Sequence, residues 1–132
     1  MAILPNGAGG YQVGDGNLGE ATLSISNIPT AYTAAATLTT AELAGGLVVY
    51  TSASTADLTL PTVTVVNADL SSAKVNSSFD VALVATSTGV PTIVVGTGWT
   101  LVGSGAGVAS KSVLFRAVKT GAETYNLYRI AG

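Results

Sequence analysis

Residues 112–130 read SVLFRAVKTGAETYNLYRI, and this stretch decides the fold. Two runs rich in β-branched and aromatic residues flank a short break that contains Gly121, which is typical of a β-hairpin with a short loop. We expect Gly121 to adopt the positive φ that a tight turn needs, because glycine has no Cβ to clash there.

The first run of this hairpin is apolar on both of its faces. Strand alternation places Val113 and Phe115 on one face, and it places Leu114 and Val118 on the other face beside Arg116. A strand of this kind needs cover on both sides, from a second sheet or from a neighbouring subunit. The stretch therefore predicts a β-sandwich that also self-associates.

Short apolar runs separated by turn residues fill the rest of the chain, with turn signals about every 8–12 residues. We expect further strands at residues 21–26, 32–39, 47–51, 57–61, 79–85, 91–96 and 99–103. Residues 39–46 (TTAELAGG) predict one capped turn of helix. Residues 62–71 favour a short helix that crosses between sheets, although their valines also suit a strand. The predicted fold class is all-β, a β-sandwich or jelly roll with one or two short helical turns.

Residues 1–20 differ from everything after them, because they are dense in glycine and have no strand or helix period. Ordering such a segment costs much backbone entropy, so it does not fold alone. It nevertheless carries regularly placed apolar anchors, which are Ile3, Leu4, Tyr11, Val13 and Leu18. We interpret residues 1–20 as an extended arm that orders against a partner, and residues 21–132 as the sandwich domain. The alternative is a disordered tail.

The composition favours association. The chain is 48% hydrophobic and only 9% charged, against a usual charged share of about 25%. A neutral surface of small residues promotes contact between proteins. The few basic residues are too sparse for nucleic-acid binding. We expect Arg116, Lys119 and Arg129 to surround the hairpin and to pair with Glu123 or with an acidic partner.

The sequence carries no pattern that predicts catalysis. It contains no cysteine and no histidine, which removes the commonest thiolate, general base and metal ligand. Residues 14–19 match G-x-G-x-x-G, but no strand precedes them and no helix follows. Ser110 and Lys111 lack the activating surroundings of a nucleophile. We expect no enzyme activity, no cofactor and no metal, and no membrane span, because every apolar run is too short.

The large apolar side chains predict a core that contains Phe79, Trp99, Phe115 and Leu127. Trp99 is the only tryptophan in the chain. An exposed Trp99 would suit stacking on a sugar, as in a carbohydrate-binding module, whereas a buried one would be a core anchor. Recurring Thr-x-Thr pairs leave an ice- or surface-adhesion protein as a further alternative.

Several segments together resemble the small head decoration (cement) proteins of tailed bacteriophages, especially those of cyanophages. They are residues 9–17 (GGYQVGDGN), 38–43 (LTTAEL), 74–80 (KVNSSFD), 96–103 (GTGWTLVG), 115–121 (FRAVKTG) and 127–130 (LYRI). The resemblance covers nearly the whole chain. The later half of the chain also resembles modules of other phage structural proteins, which leaves a carbohydrate- or receptor-binding module of a tail fibre as the alternative.

This resemblance implies a β-rich subunit, commonly a homotrimer, on the outer surface of the virion. Such a protein is made in the host cytoplasm and reinforces the assembled shell. The arm would run across subunits of the major capsid protein, which would be the partner. Nucleic acid and membranes are not expected as partners.

Overall fold

The structure is a computed structural model that describes residues 28–132. The expected arm at residues 1–20, with its anchors Ile3, Leu4, Tyr11, Val13 and Leu18, lies outside the described residues. The strand expected at residues 21–26 lies outside them as well.

Residues 28–132 form eight strands and two short helices. In chain order these are β1 (Ala36–Thr37), α1 (Thr40–Gly45), β2 (Leu47–Tyr50), β3 (Ala56–Thr59), α2 (Val63–Asp69), β4 (Ser78–Ala85), β5 (Pro91–Val94), β6 (Trp99–Val102), β7 (Ser112–Gly121) and β8 (Thr124–Ala131). This part of the chain is therefore mostly β, as the sequence predicts.

The strands form two sheets, and the chain alternates between them through its first six strands. The smaller sheet has three parallel strands in the order β1-β3-β5, and the larger has five strands in the order β2-β4-β7-β8-β6. Ala36 of β1 pairs with Leu58 of β3, and Leu58 pairs with Ile93 of β5. The number of residues that separate paired positions therefore differs between the two strand pairs. The sequence consequently shows no fixed repeat.

The strand pairing differs from the antiparallel pairing of a jelly roll. Four pairs are parallel among the described strands, namely β1–β3, β3–β5, β2–β4 and β6–β8. Only β4–β7 and β7–β8 are antiparallel. Parallel neighbours need long connections, and here three of them contain α1 or α2, while β7 lies between β6 and β8.

Helix α1 begins and ends as its sequence predicts. Thr39 is the N-cap, and its hydroxyl accepts from the backbone N–H of Glu42 while the Glu42 carboxylate accepts from the backbone N–H of Thr39, which forms a capping box. The helix stops at Gly46, whose φ of 83° is in the left-handed region that favours glycine.

Helix α2 resolves the ambiguity of residues 62–71 in favour of a helix. Val63 and Val66 are buried, and their spacing of three places both on the inner face of the helix. Val65 lies on the other face and is exposed. The helix joins β3 of the smaller sheet to β4 of the larger sheet, so it crosses between sheets as predicted.

The hairpin of β7 and β8 is present, but its turn differs from the prediction. Gly121 does not have a positive φ. A Cβ at this position would lie 2.7 Å from the Thr124 hydroxyl oxygen, so glycine fits here because the two strands approach closely at the turn. Close packing, and not a left-handed backbone, explains this glycine.

One apolar core lies between the two sheets. Val81, Leu83 and Phe115 come from the larger sheet, and Leu58 and Ile93 come from the smaller one. These inner residues enclose a void of only about 10 Å³, which is too small for more than one water molecule.

The four side chains predicted to form the core differ in burial. Trp99, Phe115 and Leu127 are buried. Phe79 is only partly buried and packs against the core from the start of β4, on the same face as Val81.

Replacing Phe115 by alanine tests this core. We expect Phe115→Ala to lower the free energy of unfolding by about 3–5 kcal/mol, because the ring is fully buried and leaves a cavity. Phe79→Ala is the matched control, and we expect roughly half that loss because Phe79 is partly exposed. Urea denaturation measures both values. Equal losses for the two variants would contradict the described core.

Candidate interaction surfaces

The charged residues of the hairpin do not pair with Glu123, so that prediction was wrong. Arg116 on β7 lies opposite Asp80 on β4, and its Nε is 2.7 Å from the Asp80 Oδ1. Hydrogen bonding to Arg116 lowers the pKa of Asp80 and raises that of Arg116 itself. Arg129 instead donates to the carbonyl oxygens of Ser104 and Ala106 and so holds the loop before β7.

Lys119 is a buried cation on the inner face of the hairpin. Its Nζ donates to the Asn67 Oδ1 at 2.7 Å and lies 5.5 Å from the centre of the Tyr125 ring. Asn67 in turn donates to Glu123, so this amide connects helix α2 to the hairpin turn. Lys119 is therefore a structural link and is not available to a partner.

Trp99 is a core anchor and not a sugar-stacking platform. Its side chain is only 7% exposed, and its indole N–H donates to the Pro61 carbonyl oxygen at 2.8 Å. Its ring centre lies 5.1 Å from that of Tyr125, which is also buried. The exposed Trp99 expected of a carbohydrate-binding module is absent from this structure.

Tyr32 fastens the beginning of the described chain to helix α1. Its hydroxyl donates to the Glu42 carboxylate, at 2.7 Å from each oxygen. Burial first, and then the hydrogen bond and charge of Glu42, raise the pKa of Tyr32 to about 12. Its backbone also bridges Tyr50 at the end of β2. Ile28, which precedes it in the chain, is 93% exposed.

A cleft of about 650 Å³ lies beyond the carboxyl ends of the three parallel strands of the smaller sheet. Threonines dominate its lining, and they are Thr37, Thr39, Thr40, Thr59, Thr62 and Thr97. Exposed Val65 and Asp69 of helix α2 complete one side. The cleft is therefore nearly neutral. The Thr-x-Thr pattern of the sequence does not predict this cleft, since its threonines come from three separate segments, residues 37–40, 59–62 and 97.

The outer face of the larger sheet, which points away from the smaller sheet, is also nearly neutral. Alternation and register place apolar side chains across all five strands on this face. Val102 on β6 is 42% exposed. The Asp80–Arg116 pair lies near the middle of the face.

Among residues 28–132, no group of three or more Asp, Glu, His or Cys side chains is placed to hold a metal ion. The Ser110 hydroxyl donates to the Ser87 carbonyl oxygen. None of the helices in residues 28–132 is long and apolar enough to cross a membrane.

The chain matches no protein-family model, and no curated protein and no solved structure was found to be similar to it.

The fluorescence of the single tryptophan tests the placement of Trp99. We expect blue-shifted emission and weak quenching by acrylamide, because the indole is buried and its N–H is bonded inside the protein. Adding a panel of mono- and oligosaccharides should leave the emission unchanged. A saturable change with a sugar, or red-shifted and readily quenched emission, would contradict the core placement.

The Tyr32–Glu42 bond predicts a pH dependence at alkaline pH. The folded pKa of Tyr32 is raised above its unfolded value of about 10, so its contribution is complete below pH 10 and is lost as pH rises through about 12. We expect Tyr32→Phe to cost about 1 kcal/mol near neutrality, because the hydrogen bond is removed. The urea midpoints of both proteins, measured from pH 7 upward, give the difference.

The wild-type advantage over Tyr32→Phe should shrink above pH 10. Tyr128→Phe serves as the matched control, because Tyr128 lies on the larger sheet and does not contact Glu42. A wild-type advantage that stays constant well above pH 10 would show that the Tyr32 hydroxyl is not held as described.

Proposed function

We propose that the protein is a head decoration protein of a tailed bacteriophage. It binds the expanded lattice of the major capsid protein, as a homo-oligomer, and stabilises the shell. The resemblance described above implies a trimer on the outer surface of the virion. In this proposal the two sheets form a β-sandwich, which is the body of the subunit, and residues 1–20 form the arm that lies on the capsid.

The neutral surface of the described residues is the observation that carries this proposal. Asp80–Arg116 is the one ion pair within residues 28–132. Large aliphatic side chains are exposed at several separate places, which are Ile28, Val65, Val75, Val94, Val102 and Ile130. A surface of this composition favours contact with other proteins over free solution, as a lattice component requires.

The anchoring of the first described residues supports the proposed role of the arm. Tyr32, bonded to Glu42 and bridged to Tyr50, fastens the chain four residues after the exposed Ile28. In this proposal the arm precedes this anchor, so it reaches a neighbouring surface without disturbing the core. Twenty extended residues span at most about 70 Å, which is enough to cross onto a neighbouring capsid subunit.

Binding only to the expanded lattice explains the stabilisation. A ligand that binds one of two states shifts the equilibrium toward that state by mass action. Several arms on one oligomer bind more tightly than one arm, because the later contacts are intramolecular. No catalytic group is required for this function.

The carbohydrate-binding alternative receives less support. It requires an exposed aromatic platform, and Trp99 and Tyr125 are both buried. We therefore retain decoration of the head as the proposed function.

Changing the arm tests the proposal. We expect the full chain with Tyr11→Ser and Val13→Ser to bind expanded, undecorated phage heads at least about tenfold more weakly, because two apolar anchors are lost. Gln12→Ser is the matched control and should bind as the wild type does. Co-sedimentation with the heads, at several protein concentrations, measures occupancy.

Deleting residues 1–20 is the more severe version of the test. We expect the truncated protein to keep its urea midpoint and to lose head binding. Full occupancy of the heads by the truncated protein would refute the role of the arm. Failure of the wild-type protein to bind heads of any tested phage, while it binds a glycan, would refute decoration itself.

A further inference from the structure

The outer face of the larger sheet has the composition of a protein interface. Its apolar side chains come from all five strands and include Val49, Val84, Leu114, Val118, Tyr128 and Val102. The strand register places these side chains in rows across the sheet. Arg116 lies opposite both Asp80 and Tyr128, and Tyr128 lies opposite Val102. The outward positions of these five strands include no lysine and no glutamate. Interface cores are depleted in lysine, glutamate and aspartate and enriched in tyrosine and arginine, so Asp80 is the one acid here that departs from this composition.

The charge pattern of this face indicates which partner it fits. One acid and one base lie side by side, with Arg116 bonded to both oxygens of Asp80 at 2.7 and 3.1 Å. Both side chains remain nearly half exposed. A face that mixes apolar with uncharged polar side chains, has no net charge and carries one adjacent pair of opposite charges complements a copy of itself. It does not complement a strongly charged partner.

We propose that this outer face is a twofold contact between two copies of the chain. In such a contact the same patch lies on both subunits, so Asp80 of one copy approaches Arg116 of the other. The two pairs then form a ring of four alternating charges, surrounded by Leu114, Tyr128 and Val102. The contact covers the apolar side of β7 that the smaller sheet leaves uncovered.

This contact is independent of head binding, and it predicts an even number of subunits. The assembly is a dimer, or a hexamer if the trimer implied by the resemblance also forms. The two proposals fail in different measurements. The twofold contact is tested by the mass of the free protein, and the proposed function is tested by the occupancy of phage heads.

Complementary charge changes test the proposal on the full chain. Asp80→Lys gives a face with two bases, and Arg116→Glu gives a face with two acids. We expect each variant alone to self-associate at least about tenfold more weakly than the wild type, because like charges meet across the twofold axis. An equimolar mixture of the two should regain association, since each basic face then meets an acidic one. Sedimentation equilibrium measures the masses.

The matched control is Asp57→Lys. Asp57 is an exposed acid on the outer face of the smaller sheet. Replacing it by lysine therefore makes the same change in charge at a place away from the proposed contact. We expect this variant to keep the wild-type mass. Urea midpoints of all variants show whether each one folds, and the double variant Asp80→Arg with Arg116→Asp restores the pair if a single variant is unstable.

Three results would overturn the proposal. The first is a wild-type protein that is a monomer or a simple trimer at every concentration at which it stays in solution. The second is an Asp57→Lys variant that weakens association as much as Asp80→Lys does. The third is a mixture of the two charge variants that associates no better than either alone.

Discussion

The two faces of strand β7 impose the constraint on which the rest of the structure depends. Phe115 and Leu114 are neighbours in sequence and point to opposite sides of the sheet. Phe115 is covered, because Leu58 and Ile93 of the smaller sheet belong to the same core. Strand β7 lies at the centre of the larger sheet and pairs with a neighbouring strand on each edge. The orientation of its two faces is therefore fixed by the sheet. In the proposed twofold contact, a second copy of the chain covers this second face.

The need to cover the inner face of the larger sheet explains why the chain alternates between the two sheets. Each pass through the smaller sheet is followed by a pass through the larger one, so successive inner residues meet across a single core. Helices α1 and α2 lie on the connections that the parallel strands require. Leu43 of α1 and Val66 of α2 also point into the core. The helices thus close the space between the sheets as well as connecting them.

Local patterns in the sequence predict the elements well, because local chemistry decides them. The capping box of Thr39 and Glu42 predicts α1, and the β-branched runs predict most of the strands. Strand order and direction could not be predicted, since a run such as residues 47–50 fits a parallel or an antiparallel neighbour equally well. The positive φ expected of Gly121 was wrong. The close contact of this position with the Thr124 side chain could not be predicted, because a turn pattern in the sequence does not show such contacts.

The candidate surfaces were harder to predict than the elements, because they depend on partners far apart in sequence. Alternation identifies Asp80 and Arg116 as outward residues of their strands, but only the pairing of β4 with β7 brings them together. Tyr32 and Glu42 meet for a similar reason, across the beginning of α1. Alternation places Lys119 on the same face as Phe115, but its partners Asn67 and Tyr125 could not be predicted, because tertiary packing brings them together.

Hydroxyl-radical footprinting across a concentration series tests most directly the claim that the second face of the larger sheet is covered in the assembled protein. Leu114 and Tyr128 report the outer face, and Phe115 reports the inner one. We expect the labelling of Leu114 and Tyr128 to fall as the protein assembles, while Phe115 stays protected at every concentration. Equal labelling of Leu114 and Tyr128 in the dilute and the concentrated protein would contradict it.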